Sequence, residues 1–290
     1  IVVTYFTGPS LQKCIQSVLS QDFPAELILV DNGNPSEITS EMERLAKEER
    51  DIHVRTGQGN IGFARGCNMG AKAATGHYLL FLNPDTELPS GALEQFFAES
   101  LSLKRPWMLG PRLVNEDGSE QRGARREILT PWSAFVEGTR LYKLMPNHPA
   151  FQRFNRVDRE VPEKTVSTPV ISGACMLVPA EDYWSIGGMD EGYFLHVEDI
   201  DFCYRFRYQG GVTYFMPQLQ VMHHRSTSQV SSIFVEWCKA RGFVRYFSKN
   251  FKGFYPTLFV YAVNVGVVFF YIAKTIKLSL LSLLSIFKKS

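Results

Sequence analysis

The chain has 290 residues, of which 45% are hydrophobic and 21% charged, a composition typical of a globular protein. It is long enough for one large domain or for one domain with an appendage, and its composition excludes disorder, collagen and coiled coil as descriptions of the whole chain. The five cysteines are scattered and never form a Cys-x-x-Cys pair. A disulfide scaffold or zinc ribbon is therefore not expected, and a reducing compartment is favoured.

Charge is distributed unevenly along the chain. Up to Glu236 there are 22 lysines and arginines against 29 aspartates and glutamates, whereas the residues that follow include nine basic side chains and no acid. This asymmetry indicates that the C-terminal part meets a membrane surface or another polyanion.

The first part of the chain alternates between strand and helix patterns. Apolar runs and amphipathic periodicity predict strands at 1–5, 27–30, 53–55 and 78–82, with helices at 10–20, 37–49 and 63–74. Such alternation predicts a parallel sheet covered on both faces, with ligands bound beyond the carboxyl ends of its strands. Thr4, Asp31, Asn60 and Asp85 stand at or just after those ends, so topology alone predicts a site there.

The second part is less regular. Residues 115–168 are rich in arginine, proline and polar residues, which predicts a long excursion with short helices. A helix is expected at 198–209, and short strands at 212–215 and 219–222 precede His223 and His224. A single histidine is usually structural, but two at a strand end near other acids favour contact with a metal or a phosphate.

A stretch of 21 uncharged residues, 253–273, lies between Lys252 and Lys274. It is long enough to cross the ~30 Å of bilayer hydrocarbon. However, Pro256 and Asn264 interrupt it, and a single span would export lysines against the positive-inside tendency. The last run, 278–287, predicts an interfacial helix. We expect membrane contact, with a soluble core helix as the alternative; no secretory signal is seen, so the body is expected in the cytoplasm.

Two motifs have competing interpretations. Residues 57–62 match Gly-x-Gly-x-x-Gly, but a dinucleotide fingerprint would follow the first strand rather than the third, so a dehydrogenase is disfavoured against a simple glycine-rich turn. Asp31 opens an Asp-Asn-Gly sequence, which is typical of a tight turn. Its carboxylate could equally accept a hydrogen bond from a base or a ribose.

The acidic residues suggest a metal and a base. Asp85 ends the fourth strand in Asn-Pro-Asp, where a carboxylate can either form a turn or ligate Mg²⁺ or Mn²⁺. Glu198, Asp199 and Asp201 place three acids in four residues. Clustered carboxylates suit a general base or a metal site, although acids are also favoured in the first turn of any helix.

Taken together, these motifs resemble family 2 glycosyltransferases of the GT-A fold, especially their rhamnosyltransferase-like branch, over roughly residues 1–230. The resemblance rests on an ordered set: Val3-Thr4-Tyr5, Val30-Asp31-Asn32-Gly33, Asn60-Ile61-Gly62-Phe63-Ala64 with Asn68 and Gly70, Leu82-Asn83-Pro84-Asp85-Thr86, Gly110-Pro111, Asp117-Gly118, Ser172-Gly173-Ala174, Gly187-Gly188-Met189-Asp190-Glu191, Glu198-Asp199-Ile200-Asp201 with Arg205, and His223 with Ser228.

The resemblance implies an α/β fold with a mostly parallel central sheet flanked by helices. Residues 1–235 would form the transferase domain, with a nucleotide-binding half at 1–114 and an acceptor and catalytic half at 115–235. Residues 236–290 would form an apolar, basic helical segment at the membrane.

The resemblance also implies roles for residues. Asp199 would be the catalytic base, with Glu198 as the runner-up. Mg²⁺ or Mn²⁺ would be held by Asp85 and by His223, with His224 as a rival; Asn83 replaces the first acid of the family's Asp-x-Asp motif. Residues implied to contact the nucleotide-sugar are Thr4, Tyr5, Asp31, Asn60, Arg65, Asn68, Asn83 and Asp85. Residues implied on the acceptor side are Gly173, Ala174, Asp190 and Glu191.

The implied activity is an inverting, metal-dependent transfer of a sugar from a dTDP- or UDP-sugar, with L-rhamnose from dTDP-rhamnose as the leading donor. The acceptor would be a polyprenyl-linked or surface polysaccharide at the cytoplasmic face of the membrane, and nucleic acid is not expected as a partner. One alternative is a degenerate member that binds nucleotide or glycan without turnover, since one acid is missing. A nucleotidyltransferase is disfavoured because residues 7–10, after the first strand, contain no basic residue.

Overall fold

The computed structural model describes residues 1–145, 148–151, 153–224 and 230–287. Ser228, part of the motif set, lies outside these residues. Backbone contacts divide the described chain into two compact units. The first comprises Ile1–Ile128, Asn155–Gly192 and the segment from Glu198 to the gap after residue 224; the second comprises Leu129–Phe154, Tyr193–Val197 and the segment from Val230 onward.

The first unit is a mixed α/β structure. Its strands are β1 (Val2–Thr4), β2 (Leu27–Asp31), β3 (Ile52–Arg55), β4 (Tyr78–Leu82), β5 (Thr86–Glu87), β6 (Trp107–Val114), β7 (Arg125–Arg126), β8 (Val166–Ser167), β9 (Val170–Ile171), β10 (Cys175–Pro179) and β11 (Val212–His223). Its helices are α1 (Ser10–Leu19), α2 (Ser36–Glu48), α3 (Phe63–Ala73), α4 (Ala92–Ser100), α6 (Ala180–Ser185) and α7 (Glu198–Tyr208).

The main sheet has the strand order β3-β2-β1-β4-β10-β6-β11-β5, with β8 paired to β11. Strands β3, β2, β1 and β4 are parallel, and β6 is parallel to β11. Strand β10 runs antiparallel to both β4 and β6, so these two groups point the same way. The expected mostly parallel sheet is confirmed, and the carboxyl ends of its parallel strands meet at one edge.

The core follows from strands that are apolar on both faces, as a covered parallel sheet requires. Every residue of β2 and of β10 is buried. Helix α3 packs closely on β1, because a Cβ added at Gly66 would lie 2.6 Å from Cγ1 of Val3. Buried core residues from the central strands include Val2, Leu29, Leu82, Leu109, Leu177 and Val221.

Two features of the sheet differ from the sequence prediction. The two strands predicted at 212–215 and 219–222 are one strand, β11, whose register against β6 shifts between Met216 and Gln220. Pro217 lies in this irregularity, and because proline cannot donate a ladder hydrogen bond it is tolerated at such a bulge. Strand β6 itself contains Pro111, opposite Met216 at the irregularity, and this strand was not predicted from the sequence.

The second unit contains α5 (Pro131–Thr139), two short 3₁₀ turns (Leu141–Lys143 and Pro149–Phe151), α8 (Ser232–Asn250) and α9 (Thr257–Phe287). Phe135 of α5 packs on Phe259 of α9, with ring centroids 6.2 Å apart. This aromatic contact explains why residues 129–154 group with the C-terminal helices rather than with the preceding sheet, which periodicity alone does not reveal.

Helices α8 and α9 form an antiparallel hairpin. Glu236 pairs with Lys274 at 3.0 Å, and the Asn264 amide donates to Oγ of Ser248 at 3.0 Å. Pro256 and Asn264 were expected to interrupt the apolar stretch. Pro256 instead immediately precedes α9, and Asn264 lies within the helix without breaking it. Residues 278–287 continue α9 instead of forming a separate helix. Among the described residues, Thr257–Leu280 is the one helical stretch long and apolar enough to cross a membrane.

Candidate active site

The first part of the site is the turn after β2, which is organised around Asp31. The Oδ1 atom of Asp31 accepts hydrogen bonds from the backbone N–H of Gly33 and Asn34, and Oδ2 accepts from the hydroxyls of Thr39 and Thr56. Burial works to raise the pKa of Asp31, but these hydrogen bonds outweigh it and hold the pKa below its ordinary value. The ionised carboxylate therefore already shapes the turn; its proposed contact with a nucleoside stays a prediction.

The glycine-rich loop after β3 is tied to this turn. The Asn32 amide donates to Oδ1 of Asn60 at 3.0 Å and accepts from the Ile61 N–H at 3.1 Å. Gly33, with φ of 95°, approaches so closely that a Cβ would lie 3.2 Å from the Asn60 nitrogen. Sequence order places Asn60 far from Asp31, but the parallel pairing of β2 with β3 places the two loops side by side.

Residues at the end of β1 support the same turn. Thr4 is buried, and its hydroxyl lies 3.2 Å from that of Thr7. Asn34, in the turn after β2, is bonded to the end of β1. Its amide nitrogen donates to the Thr4 carbonyl at 3.0 Å, and its amide oxygen accepts from the Phe6 N–H at 2.7 Å. Tyr5 is half-buried beside Phe6. Asn34 was not among the predicted site residues.

The second part of the site is formed by Asp85 and His223. Strand β11 pairs with β5 so that His223 stands opposite Thr86, one residue after Asp85. Nε2 of His223 lies 3.1 Å from Oδ1 of Asp85 and 3.4 Å from the amide nitrogen of Asn83. His223 and Asp85 are nearly buried, with side-chain exposures of 12% and 9%.

Gln121 fixes the tautomer of His223. The Gln121 amide nitrogen donates to the His223 carbonyl at 2.9 Å and to Oδ1 of Asn115 at 3.1 Å, which orients the amide. Its oxygen lies 2.6 Å from Nδ1 of His223, and because a carbonyl oxygen only accepts, Nδ1 must carry the proton. In neutral His223 the lone pair of Nε2 therefore faces the Asp85 carboxylate.

Two acceptor atoms facing each other at 3.1 Å repel, and a proton or a cation between them would relieve this repulsion. The donor set of an aspartate oxygen and an imidazole nitrogen suits Mn²⁺, and a hydrogen-bond acceptor on the other ring nitrogen, here the Gln121 amide oxygen, is typical of metal-bound histidine. These residues therefore fit a divalent cation. Among the described residues no group of three or more His, Cys, Asp or Glu side chains is arranged to hold a metal ion.

His224, the rival ligand, lies in a different environment. Its Nε2 is 2.6 Å from Oε1 of Glu87 and its Nδ1 is 3.2 Å from Oε1 of Glu116. The hydrogen bond with Glu87 raises the pKa of His224 despite its partial burial. Its ring is thus engaged by two glutamates, whereas His223 is the histidine that faces Asp85.

The third part of the site is Asp199, in the first turn of α7. Nη2 of Arg126 donates to Oδ2 of Asp199 at 2.5 Å, and the Gly173 N–H donates to the same oxygen at 3.1 Å. Oδ1 accepts from the Ile200 N–H at 2.8 Å. Burial works to raise the pKa of Asp199, but Arg126 and these hydrogen bonds lower it below its ordinary value. Asp199 is therefore ionised at neutral pH.

Glu198 is the opposite case. It is 6% exposed, and no hydrogen-bond partner for its Oε2 is found within the described ranges. Burial, followed by the neighbouring Asp199 carboxylate, raises the pKa of Glu198 to about 8. One acidic pair therefore presents one ionised and one protonated carboxyl group at neutral pH.

The backbone enters α7 through two left-handed residues. His196 and Val197 have φ of 68° and 75°, and this conformation is rare for a β-branched residue such as Val197. Strain of this kind has a cost of order 1–3 kcal/mol and persists where the surroundings hold it. The sharp bend places Glu198 and Asp199 at the start of the helix.

A short segment between Ile171 and β10 joins the second and third parts. The Asn83 N–H donates to the Ala174 carbonyl at 2.8 Å, while the preceding residue, Gly173, contacts Asp199. A Cβ added at Gly173 would lie 3.0 Å from the Asp199 Cβ, so only glycine allows this approach without displacement. The antiparallel pairing of β10 with β4 thus places the predicted base beside the loop that carries Asp85.

Asn68 has a structural position. Its amide nitrogen donates to the Met189 carbonyl at 2.9 Å and to Glu191 at 3.0 Å; its oxygen accepts from the Tyr183 hydroxyl at 2.6 Å and from the Met189 N–H at 3.0 Å. The side chain thus fastens the 187–191 loop to α3.

Arg65 is exposed, with Nε 3.7 Å from Glu191. Asp190 caps its own turn by accepting from the Gly192 N–H.

Arg126 and Gln121 were missed by sequence reasoning. Both lie within the aperiodic excursion at 115–168, and no local pattern links either residue to the site. Arg126 reaches Asp199 because the short strand β7 pairs with β9, where Arg126 stands opposite Val170. The contact between Arg126 and Asp199 therefore depends on a long-range strand pairing, which cannot be predicted from a single sequence.

Comparison with known proteins identifies the family. The sequence model described as Glycosyl transferase family 2 matches residues 1–185, and the chain belongs to this family. N-acetylglucosaminyl-diphospho-decaprenol L-rhamnosyltransferase of Mycobacterium tuberculosis is 24% identical over 243 residues, covering 79% of this chain and 76% of the relative. Rhamnosyltransferase WbbL of Escherichia coli is 26% identical over 235 residues, covering 77% and 82%.

Solved structures show the same fold. GalNAc-T7 with UDP, GalNAc and Mn²⁺ matches with a TM-score of 0.61 and 19% identity, covering 84% of this chain and 46% of that chain. The mannosyltransferase PcManGT of Pyrobaculum calidifontis, in complex with GDP-Man and Mn²⁺, matches with a TM-score of 0.58 and 14% identity, covering 91% and 67%. The fold is therefore that of GT-A glycosyltransferases, and the chain is a glycosyltransferase with rhamnosyltransferase-like relatives.

Proposed function

We propose that this glycosyltransferase transfers a sugar with inversion of configuration from a nucleotide-diphospho-sugar, with L-rhamnose from dTDP-rhamnose as the leading donor. The acceptor is a polyprenyl-linked or surface polysaccharide. The observation that carries the proposal is the link through Gly173 and Ala174, which holds the ionised Asp199 beside the loop of Asp85. The names of the Mycobacterium tuberculosis and Escherichia coli relatives support rhamnose as the sugar, and the name of the Mycobacterium tuberculosis relative supports a lipid-linked acceptor.

The donor lies at the carboxyl edge of the sheet. In this proposal Thr4, Tyr5, Asp31 and Asn60 form the nucleoside end, since their loops are hydrogen-bonded together. Residues placed nearer the sugar are Arg65, Asn68, Asn83 and Asp85. Asn68 acts there through the loop that it holds, because its four hydrogen bonds are made within the chain.

Mg²⁺ or Mn²⁺ would be held by Asp85 and His223. When bound, such a cation neutralises charge on a diphosphate leaving group. Both solved relatives described above contain Mn²⁺, which supports the same requirement in this chain. Gln121 keeps the proton of His223 on Nδ1, so that Nε2 is the nitrogen available toward Asp85.

Asp199 is the base of the transfer. The acceptor hydroxyl attacks the anomeric carbon from the side opposite the diphosphate, forming the new C–O bond as the bond to phosphate oxygen breaks. The hydroxyl proton passes to the Asp199 carboxylate, and the nucleoside diphosphate leaves with the electron pair of the broken bond. A single displacement of this kind inverts the anomeric centre and needs no covalent enzyme intermediate. Gly173, Ala174, Asp190 and Glu191 border the acceptor side.

We also propose that residues 1–235 form the transferase domain and that residues 236–290 associate with the membrane. The body then lies at the cytoplasmic face, where lipid-linked acceptors are available. The basic, acid-free composition after Glu236 supports this location.

A transfer assay tests the proposal. The full chain is incubated with dTDP-rhamnose or UDP-sugars, a polyprenyl-diphospho-N-acetylglucosamine acceptor and Mn²⁺, and the anomeric configuration of the product is determined by NMR. Product of inverted configuration supports the proposal, and retained configuration contradicts it.

Because Asn83 replaces an acid, a second candidate is a nucleotide-binding protein without turnover. Nucleotide binding with no transfer from any donor would favour that candidate.

A further inference from the structure

The α8–α9 hairpin carries a long exposed apolar surface on α9. No residue from Thr257 to Ala273 is charged. The large apolar side chains that remain exposed on this helix by 55–79% are Leu258, Tyr261, Phe269, Phe270, Ile276 and Leu280. An apolar surface of this extent marks a binding surface for a partner that excludes water.

Helix α8 carries a row of exposed cations. Arg241, Arg245 and Lys249 follow one another at four-residue spacing and therefore share one side of the helix. The Arg241 guanidinium lies 5.8 Å from the ring centroid of Trp237. The Arg245 guanidinium and the Lys249 ammonium lie 5.5 and 5.9 Å from the ring centroid of Tyr193. The hairpin thus combines an apolar helix with a cationic, aromatic one.

We propose that the α8–α9 hairpin lies in the plane of an anionic lipid surface, with the exposed side of α9 in the acyl boundary and the cations of α8 at the headgroups, and that α9 does not cross the bilayer. This inference rests on the proposed membrane location. It does not depend on the donor or acceptor of the transferase reaction.

The pairing of the two helices argues against a crossing. Ser248 contacts Asn264, and the ring of Phe243 stacks on that of Tyr271. At 1.5 Å per residue, Asn264 and Tyr271 lie about 10 and 21 Å along α9 from its start. Arg245 lies between Ser248 and Phe243 on α8. A crossing α9 would therefore hold the Arg245 guanidinium deep within the ~30 Å of hydrocarbon, where a charged group is strongly disfavoured.

An in-plane hairpin avoids this problem. Amphipathic helices with basic polar sides and aromatic or leucine-rich apolar sides bind at the headgroup boundary. Basic residues also stand at both ends of the apolar stretch, namely Lys252 on one side and Lys274 and Lys277 on the other. In an in-plane arrangement both ends remain at the same membrane face, which satisfies the positive-inside tendency that a crossing would violate.

A second copy of the chain fits this surface less well. Two identical surfaces would bring their cations together, and like charges across an interface are unfavourable. The hairpin contains one acid, Glu236, which already pairs with Lys239 at 3.1 Å and with Lys274 at 3.0 Å. Anionic lipids supply the missing negative charge.

Cysteine labelling tests the topology. Lys252→Cys and Lys277→Cys, each at an exposed position and each combined with Cys238→Ser, place a thiol at either end of the apolar stretch; the other four cysteines are buried. Inverted membrane vesicles from expressing cells are treated with a membrane-impermeant maleimide before and after detergent. We expect both thiols to react before detergent. Reaction of only one would show a crossing and overturn the proposal, and reaction of neither would overturn the cytoplasmic location itself.

Flotation with purified full-length protein tests the lipid. Binding to vesicles containing phosphatidylglycerol is compared with binding to phosphatidylcholine alone. Substitution of Arg241, Arg245 and Lys249 by glutamine is expected to weaken binding to the anionic vesicles about 100-fold at low salt. The matched control replaces three exposed cations of the first unit, Lys47, Arg50 and Lys72, and is expected to bind as wild type.

Equal loss in both triple variants, or equal wild-type binding to the two lipids, would contradict the headgroup contact. Failure of the wild type to float with either lipid, together with a dimer in sedimentation, would assign the apolar surface to a second copy and overturn the proposal.

Discussion

Arg126 donates a hydrogen bond of 2.5 Å from Nη2 to Oδ2 of Asp199, and the same nitrogen donates to the Ile171 carbonyl at 3.0 Å. The guanidinium is thus held between the backbone before the Gly173 segment and the acid in the first turn of α7. Its charge keeps Asp199 ionised while the adjacent Glu198 is driven toward its protonated form. Two neighbouring carboxyl groups with opposite pKa shifts are typical of sites in which one of them has a chemical role.

The division between the two acids predicts unequal effects of their amide variants. Asp199→Asn removes the proton acceptor and is expected to lower kcat about 100- to 10,000-fold, with little change in the KM for the donor. Glu198→Gln preserves the shape of a group that is already protonated and is expected to retain kcat within about tenfold. Steady-state transfer kinetics measure both. Near-wild-type turnover by Asp199→Asn would contradict the assignment of the base.

The Arg126 contact predicts a shift in the pH profile. Asp199 is active when ionised, and Arg126 lowers its pKa, so the wild type is expected to remain active into the acid range. Arg126→Gln removes this effect and raises the pKa of Asp199, so the acid limb of log kcat against pH is expected to move to higher pH. Arg126→Lys keeps the charge and should give an intermediate profile. A uniform loss of kcat with an unshifted profile would mean that Arg126 is merely structural.

The raised pKa of Glu198 predicts a stability effect of definite sign. The folded protein holds the proton up to about pH 8, whereas the unfolded chain releases it near the ordinary value for glutamate. This contribution to stability is complete below the unfolded pKa and is lost as the pH rises through the folded pKa. Glu198→Gln is therefore expected to melt a few degrees above the wild type at pH 9 and close to it at pH 4. Thermal melts at both pH values measure the difference; a larger gain at pH 4 would contradict it.

The two histidines predict contrasting metal dependence. His223→Gln is expected to raise the Mn²⁺ concentration that half-saturates activity about 10- to 100-fold, and Gln121→Leu, which frees the other ring nitrogen, is expected to act in the same direction. His224→Gln serves as the control, since its ring is engaged by Glu87 and Glu116. Activity measured against Mn²⁺ concentration separates the variants. A larger effect from His224→Gln would reverse the assignment of the ligand.

Much of the first unit is predictable because its strands and helices carry strong local patterns. The strands that end at Thr4, Asp31 and Leu82 are short apolar runs. The rule that ligands bind beyond such ends predicts four of the candidate residues, namely Thr4, Asp31, Asn60 and Asp85. The centre of the sheet was harder to predict. Pro111 lies within β6, where a proline argues against a strand, and Pro217 lies at the bulge of β11, which made one strand read as two.

The remaining site geometry depends on contacts distant in sequence. Gln121 meets His223 across 102 positions and Arg126 meets Asp199 across 73, and neither contact leaves a periodic signal. Asn68 shows that a motif can also mislead. The resemblance places this residue near the sugar, but its side-chain amide is hydrogen-bonded to Tyr183, Met189 and Glu191. A sequence motif can locate a residue near a site without specifying what its side chain contacts.

We propose that this carboxyl edge of the sheet binds a nucleoside diphosphate together with a divalent cation. The most direct measurement is thermal stabilisation of the full chain by dTDP, UDP, GDP and NAD, each with and without Mn²⁺. A ligand at about 100 times its Kd adds about 2.7 kcal/mol to the free energy of unfolding, which a melt detects readily. We expect dTDP or UDP to stabilise the protein only when Mn²⁺ is present, and we expect Asp85→Asn to abolish the effect. Stabilisation by NAD alone, with none from the pyrimidine nucleotides, would contradict it.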